Sequence, residues 1–149
     1  MEIRTAIYKY CNYQERCHGE VLSKLFELGA DREYADQLVA ELIEANLLNE
    51  ERFAQSYSRG KFSMKKWGRN KIKMHLKQKQ VSDYCIKKGL AEIDEATYEK
   101  TLLQLCERLL EKHQKEPAWM QNAKITRYLL GRGFEGSLIK ESLNTLMAT

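Results

Sequence analysis

Proline is almost missing from this sequence. Pro117 stands alone among 149 residues, so nothing before it breaks a helix by ring closure. Alternating runs of β-branched residues are missing too, and good helix formers dominate. That sets aside sheet architectures and leaves an all-α chain. There is no apolar run near the ~18 residues a membrane span needs, and no short apolar stretch at the start of the kind that directs secretion. Four cysteines, Cys11, Cys17, Cys85 and Cys106, show neither Cys-x-x-Cys pairs nor a disulfide-scaffold spacing. They read as small hydrophobes in a reducing compartment, so a cytoplasmic protein with no membrane partner is expected.

Catalytic signatures are absent as well. Gly60-Lys61 and Gly68-Arg69 lack the Gly, four residues, Gly-Lys-Ser/Thr pattern that cradles phosphates, and no Gly-x-Gly-x-x-Gly follows a strand. Ser23, Ser56 and Ser63 have no recognisable base, and the pair Glu50/Glu51 sits at a helix start, where carboxylates complement the dipole. Cys11, Cys17 and His18 have no zinc spacing, and His75 and His113 are isolated. The expectation is a protein with no catalytic residues, no metal and no cofactor.

The most telling deficit is of carboxylates. Residues 52–82 contain none, yet they carry ten cations: Arg52, Arg59, Lys61, Lys65, Lys66, Arg69, Lys71, Lys73, Lys77 and Lys79. Residues 15–51 carry ten acids against three bases, and residues 83–149 carry ten of each. A net charge of +4 therefore hides a strongly basic middle, which suits a local contact with a polyanion. A helix from about Lys66 to Lys79 would set Lys66, Arg69, Lys73 and Lys77 within an arc of about 80°, a row that can follow phosphates. A loop over residues 60–68 would add Lys61, Lys65 and Trp67. Candidate contact residues are Arg59, Lys61, Lys65, Lys66, Arg69, Lys73 and Lys77. Phe62 and Trp67 stay open between base stacking and core packing. The acidic first part reads as a solvated surface.

What is present, beyond charge, is repetition. Val21–Leu25, Ile72–Leu76 and Ile125–Leu129 align, and the leucines Leu25, Leu76 and Leu129 are 51 and 53 residues apart. Each is followed by a turn at Gly29-Ala30, Gln80-Val81 or Gly133-Phe134, then by Asp31, Ser82 or Glu135 and a further apolar helix. Gly29 and Gly133 suit a left-handed helix end; Gln80 suits it less, so a different middle turn is expected. Each copy is preceded by another helix: around Arg4–Cys11, from Asn49, and from Asp94 to about Lys115. Three three-helix repeats result, 1–48 (acidic), 49–93 (basic) and 94–149, expected to form an elongated, curved string of either hand.

Asn49-Glu50-Glu51-Arg52-Phe53-Ala54, then Tyr57-Ser58-Arg59, a Gly/Lys-rich stretch, and Ile72 to Lys77 resemble the middle repeat of the RecX family. The outer repeats resemble its first and third. The resemblance implies a non-enzymatic regulator of the RecA recombinase. Such a protein binds the nucleoprotein filament along its groove and suppresses ATP hydrolysis, strand exchange and co-protease activity, in DNA repair, recombination and the SOS response. It also implies that Phe53 and Ala54 are structural and that Arg59 and Lys77 are matching basic positions. The sequence departs at Lys79-Gln80-Val81, where the family has Lys-Gly and an apolar residue. The implied partners are a RecA-type filament and single- or double-stranded DNA, met by a monomer. The alternative is a general nucleic-acid-binding helical module that acts by competing for DNA.

Overall fold

The computed structural model describes residues 2–148. Among them are nine helices and no strand: α1 (Ile3–Tyr13), α2 (His18–Glu27), α3 (Arg32–Glu44), α4 (Glu50–Lys65), α5 (Arg69–Gln78), α6 (Asp83–Leu90), α7 (Glu95–Lys112), α8 (Ala118–Gly131) and α9 (Gly136–Met147). They form a tandem of three-helix repeats, as the periodicity predicts.

The turn between the second and third helix is the same in every repeat. After α2, Gly29 N–H donates to the Phe26 carbonyl and Ala30 N–H to the Leu25 carbonyl. After α5, Gln80 N–H donates to Lys77 and Val81 N–H to Leu76. After α8, Gly133 N–H donates to Leu130 and Phe134 N–H to Leu129. Each is a paired closure of orphan helix carbonyls around one left-handed residue. Gln80 takes φ 63° where the glycines take 98° and 99°. The middle turn thus keeps the common geometry, against expectation, because Val81 must still drop into the core five residues after Leu76 (both are buried). Asp31 and Ser82 cap the following helices by accepting from Tyr34 and Cys85 N–H, at 2.8 and 3.2 Å. Glu135 holds the corresponding place without capping.

Three boundaries differ from the sequence expectation. The presumed loop at 60–68 is helical as far as Lys65, because buried Ala54, Ser58 and Phe62 continue at the spacing of one turn across Gly60. The next helix therefore starts at Arg69, and Lys66 lies outside it in a left-handed conformation, φ 56°. The third repeat's first helix stops at Lys112 instead of Lys115. His113 closes its end, and Pro117 precedes the first residue of α8.

The chain divides into two compact units: Met1–Tyr57 with His75–Gly89, and Ser58–Met74 with Leu90–Thr149. The first is built on buried Ile7, Val21, Leu25, Leu38 and Leu42. In it α4 and α6 pack backbone to backbone, since a Cβ on Gly89 would lie 2.6 Å from the Ala54 carbonyl oxygen. The second has buried Phe62, Ile72, Tyr98, Leu129, Phe134 and Ile139 at its centre. The ring of Tyr98 meets Phe62 and Phe134 at centroid distances of 5.6 and 5.4 Å.

Candidate functional site

The carboxylate-free stretch folds as α4, an elbow at Lys66-Trp67-Gly68, and α5. Asn49 starts α4 by accepting from Arg52 N–H at 2.9 Å. Glu50 is turned to the N-terminus of α2, where it accepts from His18 N–H at 2.9 Å. Phe53 and Ala54 are buried.

The elbow is held inside the second unit by backbone contacts. Gly68 N–H donates to the Arg132 carbonyl at 2.8 Å, and Asn70 N–H to the Gly133 carbonyl at 2.9 Å. Between them, Arg69 N–H donates to the Tyr98 hydroxyl at 3.0 Å. The Arg132 guanidinium reaches back to the Lys65 carbonyl. A Cβ on Gly68 would lie 2.3 Å from the Gly133 carbonyl carbon, so no larger residue fits. These three donors at the start of α5 are satisfied by the protein. The helix end therefore offers an anion little of the amide cradle common at such positions, and any anion must be met by side chains.

Those side chains fall into two groups. All three arginines of residues 52–82 hold carboxylates. Arg52 binds Glu15 and the Asn46 carbonyl, and Arg59 binds Glu92 at 2.5 Å. Arg69 binds Glu95 at 2.6 Å and Glu135 at 2.7 Å, and its guanidinium carbon lies 4.0 Å from the centroid of the Tyr98 ring. Burial opposes the Arg69 charge, but the hydrogen bonds it donates to Glu95 and Glu135 outweigh it and raise its pKa. Tyr98 donates its hydroxyl to Glu135, which explains why Glu135 does not cap α9. Lys79 joins this group in the first unit: Glu20 accepts from it at 3.2 Å. There too burial opposes the charge and the Glu20 hydrogen bond prevails, raising the pKa.

The other group is lysine. Lys65, Lys66, Lys73 and Lys77 are exposed, and neither they nor Lys71 form an ion pair with any described residue. Lys66 Nζ donates only to the Ser63 carbonyl, 3.0 Å away. Lys61 and Lys71 place their ammonium groups 4.9 and 4.6 Å from the centroid of the Trp67 ring. Lys61, Lys65, Lys66, Lys71 and Lys73 all belong to the second unit, around the elbow; Lys77 is on the part of α5 in the first. Phe62 points inward onto Tyr98, whereas Trp67 is half-buried at the elbow. Lys71 was not a sequence candidate. Its only signal is the run of alternating lysines Lys71 and Lys73, and nothing local marks its approach to Trp67. Among the described residues no group of His, Cys, Asp and Glu could hold a metal ion, and no helix is long and apolar enough to cross a membrane.

Two family models match the chain: the second three-helix domain of RecX over residues 49–90 and the third over residues 97–143. The regulatory protein RecX of Chlorobaculum tepidum is 32% identical over 137 residues, with 89% of this chain and 81% of that protein aligned. This chain belongs to the RecX family. The regulatory protein RecX of Streptococcus uberis is 29% identical over 136 residues, 91% of this chain but 51% of its own length. The chain spans about half the length of that relative and of RecX from Limosilactobacillus reuteri, of which 49% is covered. A crystal structure of RecX from Lactobacillus salivarius superposes with a TM-score of 0.90 at 25% identity, covering 99% of this chain and 96% of that one. The site described above therefore belongs to a RecX second repeat and the elbow contacts it makes with the third.

Proposed function

We propose that this RecX-family chain is a regulator of a RecA-type recombinase. It binds the nucleoprotein filament and lowers its ATPase, strand-exchange and co-protease activities. Family membership supplies the regulatory role. The observation that carries the mode of contact is the set of lysines around the α4–α5 elbow, free of carboxylate partners at Lys65, Lys66, Lys71 and Lys73 and mounted on a frame fixed by Arg69. A filament presents phosphates and acidic protein surface, and both are met by a cationic face held in register. Arg59 and Arg69 serve here as framing residues, and Lys77, on the part of α5 that belongs to the first unit, is a further exposed cation. No group in this reading performs covalent chemistry, and no cofactor is required. The protein works as a monomer in the cytoplasm.

The test is turnover of ATP by a RecA recombinase on single-stranded DNA, with this chain added. Inhibition that saturates is expected; unchanged turnover at saturating amounts overturns the reading. The competing account, a general nucleic-acid module, draws on the same lysines. Charge reversal at Lys65, Lys66, Lys73 and Lys77 should remove inhibition in either account, so the two are separated by concentration. Inhibition of preassembled filaments below the concentration at which the chain binds free DNA excludes simple competition, while inhibition only above it favours competition.

A further inference from the structure

The elbow carries a tryptophan that the regulatory reading leaves without a task. Aromatic residues among lysines invite the idea of a stacking platform for bases. The geometry of Trp67 argues otherwise. Lys61 on α4 and Lys71 on α5 are ten residues apart in the chain, yet both ammonium groups lie against this one ring, at 4.9 and 4.6 Å. They are no farther from one another than those two distances combined. Cations at such distances are held by the ring quadrupole, and a base stacking on a face they cover would have to displace them. The backbone that carries the ring is fixed. Trp67 N–H donates to the Lys61 carbonyl at 3.2 Å, Lys66 before it is left-handed, and Gly68 after it is pressed against Gly133.

We propose that Trp67 is a positioning residue that holds Lys61 and Lys71 as a clamp for the phosphodiester backbone of a nucleic-acid strand. This rests on the polyanion-binding role of the elbow and names its ligand chemistry. Lysine loses more rotamer freedom on contact than any fixed donor does. A ring that gathers two of them beforehand removes part of that cost, and the satisfied amides of α5 leave the phosphate to these side chains. The clamp reads backbone and not bases, so it grips any sequence.

The experiment measures binding of the full chain, by anisotropy, to a labelled oligothymidylate and to an abasic strand of equal length. The abasic strand is expected to bind within about twofold of the thymidylate. Trp67→Leu is expected to weaken both about fivefold, and Trp67→Phe to recover most of that loss. In a Lys61→Gln/Lys71→Gln background, Trp67→Leu is expected to cost nothing further. The double lysine variant alone should lower the salt slope by about 1.4, which decides the matter even if Trp67→Leu unfolds. Loss of binding to the abasic strand, an effect of Trp67→Leu that persists without the lysines, or an unchanged salt slope each overturns the clamp. A chain that binds neither strand but still inhibits the recombinase overturns the clamp and leaves the regulatory reading standing. A chain that does neither overturns both.

Discussion

Tyr98 shows how much one side chain can fix. It is fully buried, yet its hydroxyl is satisfied twice, donating to Glu135 and accepting from Arg69 N–H. Removing that oxygen leaves a carboxylate and an amide short of a partner. Tyr98→Phe is therefore expected to lower stability by about 1–2 kcal/mol, read from urea midpoints at neutral pH. Burial first, then the bond to Glu135, raises the Tyr98 pKa above its ordinary value of 10. The folded state then keeps a proton that the unfolded chain releases. Stability from this site is complete below about pH 10 and is lost as pH rises beyond it. The urea midpoint of the unaltered chain should fall faster above pH 10 than that of Tyr98→Phe. Cys106 is pushed up to about 11 by burial, consistent with an unreactive thiol that fills space. None of this could be read from the sequence. In the sequence Tyr98 is one more aromatic residue on a helix, and Glu135, 37 residues away, is marked only as the residue that follows a turn.

At the scale of the element, α4 and the elbow contain two glycines with opposite roles. Gly60 is inside the helix, and a Cβ there would meet nothing within 4 Å. Gly68 faces the backbone of Gly133, with no room at all. Gly60→Ala is expected to stabilise the chain by about 0.5–1 kcal/mol through helix propensity. Gly68→Ala is expected to destabilise it by about 3 kcal/mol by forcing two backbones apart. Thermal melts of the two variants should move in opposite directions. The repeat itself was legible, because its apolar positions recur at helical spacing and its turns are closed by local hydrogen bonds. The extent of α4 was not. A glycine beside three lysines looks like a loop until Phe62 is seen to be buried one turn after Ser58. The middle turn misled for a related reason: Gln80 tolerates a left-handed φ because the burial of Val81 and Leu76 outweighs the local strain.

For the whole molecule, charge zoning is the relevant quantity. The sequence shows ten cations in one stretch, and nothing in it says which are spoken for. The carboxylates that hold Arg59, Arg69 and Lys79 are between 26 and 66 residues away. If Lys61, Lys65, Lys66, Lys71 and Lys73 each neutralise one phosphate of a single strand, the log–log salt slope is roughly −3.5. Affinity should then fall about a hundredfold between roughly 50 and 200 mM salt. The fold should hardly notice, since Arg69 and Glu135 are partly sequestered and screened less than surface charges. Equilibrium binding and melting temperature, measured over the same salt series, check both halves of this statement. The division also sets which substitutions the chain can absorb. Losing Arg69 strands two carboxylates and loosens the junction of two repeats. Exchanging an elbow lysine for a neutral residue only softens a grip. A lineage can therefore retune how tightly such a protein holds its partner, one lysine at a time, without putting its folding at risk.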